Sequence, residues 1–571
     1  MLRIKGYSKI LLYTFFLFSI FNASEAKKLD KYYNSDKISQ YFSGVLSLNK
    51  NEYLTSYDYL KKLEGLEDAH PFYSKIYQYS LVNLGKISEA YNYSKKINKK
   101  KINNFESDLI IGVYFLKNRK FKEANQHFKK LKGKNSDQTF KILLSDTLNN
   151  WVSFPGSSKE DALNLNKNIS ERFRNVQKIQ DTFTHCYFNS TETDEKFSEL
   201  TSDKEVNSSR YNFFHANYLY NIGNEKEAKI ILKESLKLYP RNLILNQFKI
   251  DLKEKKNVIL NNHFDCKNIS HNIAEFFYIL ANAMSKQYKF ALSNFYLNLG
   301  KYLNPNFISF DVLLAENFYM TDQLDKSKNI YQKISKKGSA YYWFASKQIV
   351  SILKEENKEE DHLKYLYERY KKIREPTIYE KFDYANFLKN NDQFKKSIKY
   401  YTEVLNLIDE DSYLYPKATD GRGVAYERIN EWEKAEKDLL NSLKASPEQA
   451  YVLNYLAYSW IEQGINIERS LEMLKRANEI KKNDGYIIDS IGWALFKLQR
   501  HKEAKEYLEL AVLLMPSDPV INDHFGDSLW MNDYKIQARY YWNYVLNLKE
   551  TDQKLRDSVK NKLLFGKNSD L

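Results

Sequence analysis

Two short runs bring together side chains suited to nucleophilic or metal chemistry: His185-Cys186 and His263-Phe264-Asp265-Cys266. A thiolate beside an imidazole is the beginning of a cysteine nucleophile, and His, Asp and Cys are all zinc ligands. Neither use is completed. A nucleophile's base needs a third group to orient it, and no partner stands at a readable spacing. Neither Cys belongs to a CxxC pair, and the nine His show no HExxH or similar metal spacing. No P-loop or GxGxxG follows a strand-like run. The expectation is a chain that is not an enzyme and carries no cofactor or metal. The two cysteines can still meet each other. Cys186 and Cys266 lie about 80 residues apart, and in an oxidising compartment they either form a disulfide or remain two thiols too distant to bridge.

The elements that must position these groups are helical. A chain of 571 residues is too long for one compact core, so several domains or a repeat array are expected. Hydrophobic residues make up 43%, which is enough to bury a core, while 17 Gly and 9 Pro are sparse punctuation for an all-β or nucleotide-binding α/β chain. Internal periodicity decides the matter. Gly492 and Gly526 stand thirty-four residues apart, as do Ala504 and Ala538. Gly423 and Ala435 repeat the internal gap of twelve, and Pro447 and Pro516 each follow the second small residue by another twelve. Ala457 and Ser470 mark a further unit, lengthened by one residue around Gly464-Ile465-Asn466. Four consecutive units are therefore readable from Thr419 to Leu548. Weaker copies run backwards through Ala385/Ser397, Ala315/Ser327, Ala216/Ala228, Gly112/Ala124, Gln78/Ala90 and Gly44/Ser56. Small residues at this spacing let two antiparallel helices approach closely, and one such pair cannot bury its own apolar face. The units must stack.

This pattern resembles the tetratricopeptide repeat family, with its small residue in the first helix, an aromatic or Leu three residues on, Ala in the second helix and a terminating Pro. The resemblance implies an all-α, right-handed superhelical solenoid of antiparallel helix pairs that binds peptides or proteins. The C-terminal block is also similar to exported repeat proteins of alphaproteobacteria, through Asn454 to Trp460 (NYLAYSW), Asp484 to Leu495 (DGYIIDSIGWAL) and Asp518 to Asp527 (DPVINDHFGD). That group lends a fold and a location but no activity.

The organisation expected is a signal peptide at 1–26, N-terminal repeats at 27–142 and an irregular helical segment with a polar insertion at 143–209. Middle repeats at 210–375, C-terminal repeats at 376–548 and a tail at 549–571 complete it. Arg3, Lys5 and Lys9 precede a twelve-residue apolar run, Ile10 to Phe21, and Ser24-Glu25-Ala26 offers cleavage before Lys27. The run is short for a bilayer span, although a retained anchor is the alternative. Export places the protein in the periplasm or cell envelope. A second break falls between Leu252 and Asn272, so each cysteine lies in a break. The tail is too short to hold a catalytic domain. The formal charge of +15 suits acidic partners or anionic lipid. Export argues against nucleic acid, and the lysines are spread along the chain rather than gathered in a patch.

In a stacked array, the positions three before, one after and four after the small residue of each first helix face the concave groove. The first set is Asp420, Asn454, Asp489 and Asp523; the second is Val424, Tyr458, Trp493 and Asp527; the third is Glu427, Ile461, Phe496 and Trp530. Carboxylates and an amide could hold a basic or backbone donor, and aromatics could supply anchor pockets. The same Asp residues could instead answer the helix macrodipole, and the aromatics could be core. Asn217, Asn282 and Asn386 suggest that the polar track continues through the middle repeats. The reading is a scaffold or adaptor holding a protein or peptide partner in this groove. The rival is an envelope-assembly factor meeting anionic lipid or polymer through its basic surface.

Overall fold

A computed structural model describes residues 34–567, apart from 103, 133–138, 203–206, 255–261 and 357–358. The leader and its cleavage site lie outside the described residues. Among those described there are thirty α-helices, in sequential antiparallel pairs, and one isolated bridge between Asn262 and Phe307. No described helix is long and apolar enough to cross a membrane.

The spacing of small residues has a direct cause in the packing. A Cβ on Gly44 would lie 2.7 Å from Leu60, on Gly492 2.6 Å from Leu508, and on Gly526 2.6 Å from Trp542. In each case the large side chain sits sixteen positions later, on the facing helix, over the glycine. The second small residue stands at the same crossing. Where it is serine, its hydroxyl donates to the carbonyl of the first: Ser56 to Gly44, Ser293 to Ala281 and Ser327 to Ala315, at 2.8 to 2.9 Å. At these three positions serine replaces alanine without leaving a buried hydroxyl unpaired, whereas Ser397 donates to the Phe394 carbonyl at 2.8 Å and the buried Ser470 hydroxyl has no partner. Seven residues after the small position the backbone turns left-handed to reverse the chain, at Asn51, Arg119, Asn430, Gln499 and Asp533 among others, and at Gly85, Gly223 and Gly464. Such a residue ends a helix and lets its last carbonyls be satisfied.

The chain divides into two compact units, Met1–Arg369 and Tyr370–Leu571. The first unit does not keep an open inner face. The helix Phe290–Leu303 packs against Pro71–Asn83 and Phe105–Lys117, and Ile269–Ser285 reaches Thr139–Ser153. Lys117 donates to the Leu303 carbonyl at 2.9 Å, Asn294 to the Tyr53 hydroxyl at 2.8 Å, and Tyr79 stacks on Phe295 with centroids 4.5 Å apart. One continuous apolar core runs from Leu48 to Phe318. The polar insertion expected within 143–209 contains the helix Thr193–Thr201. Phe197 anchors it, buried against Phe183 and stacked on His215, and Asp194 pairs with His215 at 2.6 Å. One buried aromatic and one hydrogen bond to His215 hold this helix despite the polar composition of the insertion. Cys186, at the end of Arg174–Tyr187, is bonded to Cys266 with Cα atoms 5.9 Å apart, and both are buried.

The second unit stacks five pairs in register. They begin with Ile378–Lys389 and Phe394–Leu405, opened by a capping box in which Thr377 and Glu380 exchange hydrogen bonds, and end with Pro519–Met531 and Lys535–Asn547. A further helix, Gln553–Phe565, follows the last pair.

Candidate functional site

The first helices of the second unit bring the three expected sets together, and their two halves differ. In the half formed by Tyr415–Glu427 and Ala450–Glu462, polar groups are desolvated without full compensation. Asp420 is half-buried, and its pKa is raised by burial, with Lys389 opposing. The Asn454 side-chain oxygen is buried and has no hydrogen-bond partner. Tyr458 is half-buried, and its hydroxyl is pushed well above its ordinary pKa by burial, reinforced by Glu462, Asp489 and Asp523. Val424 packs beneath this region, Glu427 accepts a hydrogen bond from Tyr455 at 2.7 Å, and Ile461 is core.

The other half is filled by the chain itself. Asp489 accepts from His524 Nδ1 at 3.0 Å, and the His524 ring lies flat on Trp493 with centroids 3.9 Å apart. Trp493 stacks in turn on Phe496 and donates from Nε1 to Glu462 at 2.7 Å. Burial disfavours the charged imidazole of His524, but Asp489, with Asp523 and Asp527 behind it, outweighs burial and raises its pKa. Asp523 accepts two hydrogen bonds from Lys562 Nζ, both 2.7 Å, and Asp527 pairs with Lys562 and Lys567, both at 2.8 Å. Asp527 also accepts from Trp542 Nε1 at 3.1 Å. Burial pushes the Asp523 carboxyl up and Asp527 adds to it, against the pull of Lys562. Trp530 is half-buried beneath Gly566, where an added Cβ would overlap its ring.

The expected groove therefore needs correction in its C-terminal part. Asp489, Trp493, Phe496, Asp523 and Asp527 are all buried and already partnered within the chain. Four groups were missed: His524, Glu462, Lys562 and Lys567. The last two lay in a segment read as a tail. It carried a legible helix signal: Asp552 as N-cap, accepting from Leu555 N at 2.8 Å, and then Leu555, Val559 and Leu563 at intervals of four. The polar track is also not a free surface at two of its three positions. Asn217 donates to the Phe264 carbonyl and Asn386 accepts from the Tyr401 hydroxyl.

The two Cys/His runs do not assemble a reactive site. The sulfurs are bonded to each other, His185 contacts Ser190 and Glu192, and the His263 ring meets that of His271 edge-on. Among the described residues no group of three or more His, Cys, Asp or Glu is arranged to hold a metal ion.

No family model matches the chain. It is similar to a TPR repeat-containing protein of Pseudomonas aeruginosa, 29% identical over 144 residues. The match covers 25% of this chain and 23% of that relative, so the chain spans about a quarter of the relative's length. Similar solved structures include MamA of AMB-1, with TM-score 0.26, 16% identity, and coverage of 30% of this chain and 99% of that one. A TPR protein of Thermus thermophilus has TM-score 0.28 and 15% identity, covering 33% and 100%. YrrB, described as a TPR protein with an unusual peptide-binding site, has TM-score 0.26 and 18% identity, covering 32% and 91%.

Proposed function

We propose that this chain, a tetratricopeptide-repeat protein, is a scaffold of the bacterial periplasm or cell envelope that holds a protein or peptide partner against the inner face of its second unit. Protein–protein interaction is what such repeats imply in general. The observation that carries the finer reading is the buried, unpartnered oxygen of Asn454, set on the same inward row as Asp420. A desolvated acceptor with no donor costs about 1–3 kcal/mol, and a partner's backbone N–H or side-chain donor would recover that. Tyr458 beside it offers an aromatic wall and a hydroxyl to the same partner. The exported location rests on the leader sequence, Arg3 to Ala26.

The test is a capture experiment from envelope extract with the mature chain (Lys27 onward), compared with an Asp420→Ala, Asn454→Ala, Tyr458→Ala variant of unchanged helical circular dichroism. A partner held by the native chain and lost from the variant supports the groove. An identical catch from both, released by salt, would instead favour the basic outer surface. N-terminal sequencing of the cellular protein checks the location, since a chain retaining its first residues would place it at a membrane anchor.

A further inference from the structure

We propose that the segment from Asp552 to Lys567 is an intramolecular ligand of the inner face, and that the partner of this half of the groove is a helical segment that offers lysines to Asp523 and Asp527 and displaces it. The proposal rests on the groove reading above and deepens it, by naming the chemistry of the occupant.

The segment is held in two different ways along its length. Its beginning is tied to the last repeat: Arg556 donates to the carbonyls of Leu546, Leu548 and Thr551, at 2.6 to 3.1 Å, and Val559 is buried. Its end is held by charge. Lys562 bridges Asp523 and Asp527, while Lys567 reaches the other oxygen of Asp527 and lies 5.8 Å from the Trp493 ring centre. Between them Gly566 adopts φ 79° and ψ −179°, a conformation open essentially to glycine alone. It carries the chain directly over Trp530. Apart from the lysines this end is held by Leu563, packed on the core, and by Arg539, which donates to the Leu563 carbonyl at 2.7 Å, while Leu564 and Phe565 are 71% and 77% exposed. A segment anchored at its start and latched by two lysines at its end can open there without leaving the protein.

Its occupancy also defines the site. The two carboxylates stand four residues apart on one face of Pro519–Met531, so adjacent turns meet two ammonium groups at once. Trp493 and Trp530 flank them as surfaces over which a cation or an aliphatic stem can lie. A competing helix that ends in a glycine turn, with one lysine in its last turn and one just beyond the turn, reproduces the contacts of Lys562 and Lys567, whereas an acidic or purely apolar segment would strand both aspartates.

The full chain carrying Lys562→Ala and Lys567→Ala keeps Arg556 and Val559, and its fold is checked by circular dichroism. A fluorescein-labelled peptide of residues 552–567 is titrated against this variant and against the native chain, and read by anisotropy. The opened variant should bind it at least about tenfold more tightly, since the native groove is competent only in the fraction of molecules whose latch is open. The same peptide with Lys562 and Lys567 replaced by alanine should not bind. Adding Asp523→Asn and Asp527→Asn to the variant should abolish binding of the native peptide. Equal binding to the native and opened chains, or binding indifferent to the peptide's lysines, would overturn the proposal. Hydrogen exchange gives a reading without mutation: excess peptide should speed exchange in 560–567 of the native chain, and unchanged exchange counts against displacement. None of these arms involves Asp420 or Asn454, so the latch and the capture result can fail separately.

Discussion

His524 has a charge set by its neighbours. It faces Asp489, Asp523 and Asp527, with Lys562 across the same cluster and Tyr458 6.5 Å away between ring centroids. Its pKa in the folded chain lies above the unfolded value of about 6.5, so the folded state binds this proton more tightly. Its contribution to stability is therefore complete below about pH 6.5 and is lost as pH rises through the folded-state pKa. Asp523, raised by burial and by Asp527 beside it, works in the same sense. Urea denaturation from pH 6 to 9 should show the native chain losing more stability with rising pH than His524→Gln does, because His185, His215, His271 and His501, whose pKa values burial lowers, act in the opposite sense and equally in both. Equal slopes in the two chains would place the titration elsewhere. Asp489→Ala, which leaves the imidazolium buried without its partner, should lower stability by about 3 kcal/mol near pH 6.

The recurring left-handed position seven residues after each small residue belongs to the scale of the helix pair. Gln499 holds it with φ 60° and is exposed. A left-handed non-glycine residue costs about 1–2 kcal/mol, partly offset by the backbone freedom glycine would lose on folding. Gln499→Gly should raise the urea midpoint by the equivalent of about 0.5–1 kcal/mol without changing the slope. The opposite outcome is expected at the helix crossing. Gly526→Ala sets a methyl 2.6 Å from the Trp542 ring, whose Nε1 is tied to Asp527 and cannot swing aside freely. Overpacking of this kind costs about 1–3 kcal/mol. A neutral Gly526→Ala would mean that the small position is set by something other than the residue sixteen places on.

At the scale of the whole molecule, the Cys186–Cys266 bridge closes a loop of 80 residues within the first unit. It joins the end of one helix to the segment before Ile269–Ser285, beside a break in the repeat. Under oxidising conditions its loss, through dithiothreitol or a Cys186→Ser, Cys266→Ser pair, should cost that unit about 2–5 kcal/mol. Calorimetry with and without reductant checks this, and the double variant should show no response to reductant.

Helix pairing and the thirty-four-residue unit were legible in the sequence, because each depends on contacts between residues about twelve to thirty-four apart. Gly492 under Leu508 is an example: once both helices exist, the crossing follows from their spacing. The carboxylates and aromatics of the groove could be located on the same ground. What covers them could not. That Phe290–Leu303 fills the inner face of the first unit, against residues some two hundred places earlier, is a matter of how far a stack of pairs curves before it meets itself. That curvature sums small rotations, none of which any one repeat displays. The fate of Asp523 and Asp527 was hidden for a related reason. An acidic pair on an inner face reads the same whether a partner or the chain's own Lys562 and Lys567 neutralises it, and only the path of the last helix, turned over Trp530 at Gly566, decides between them.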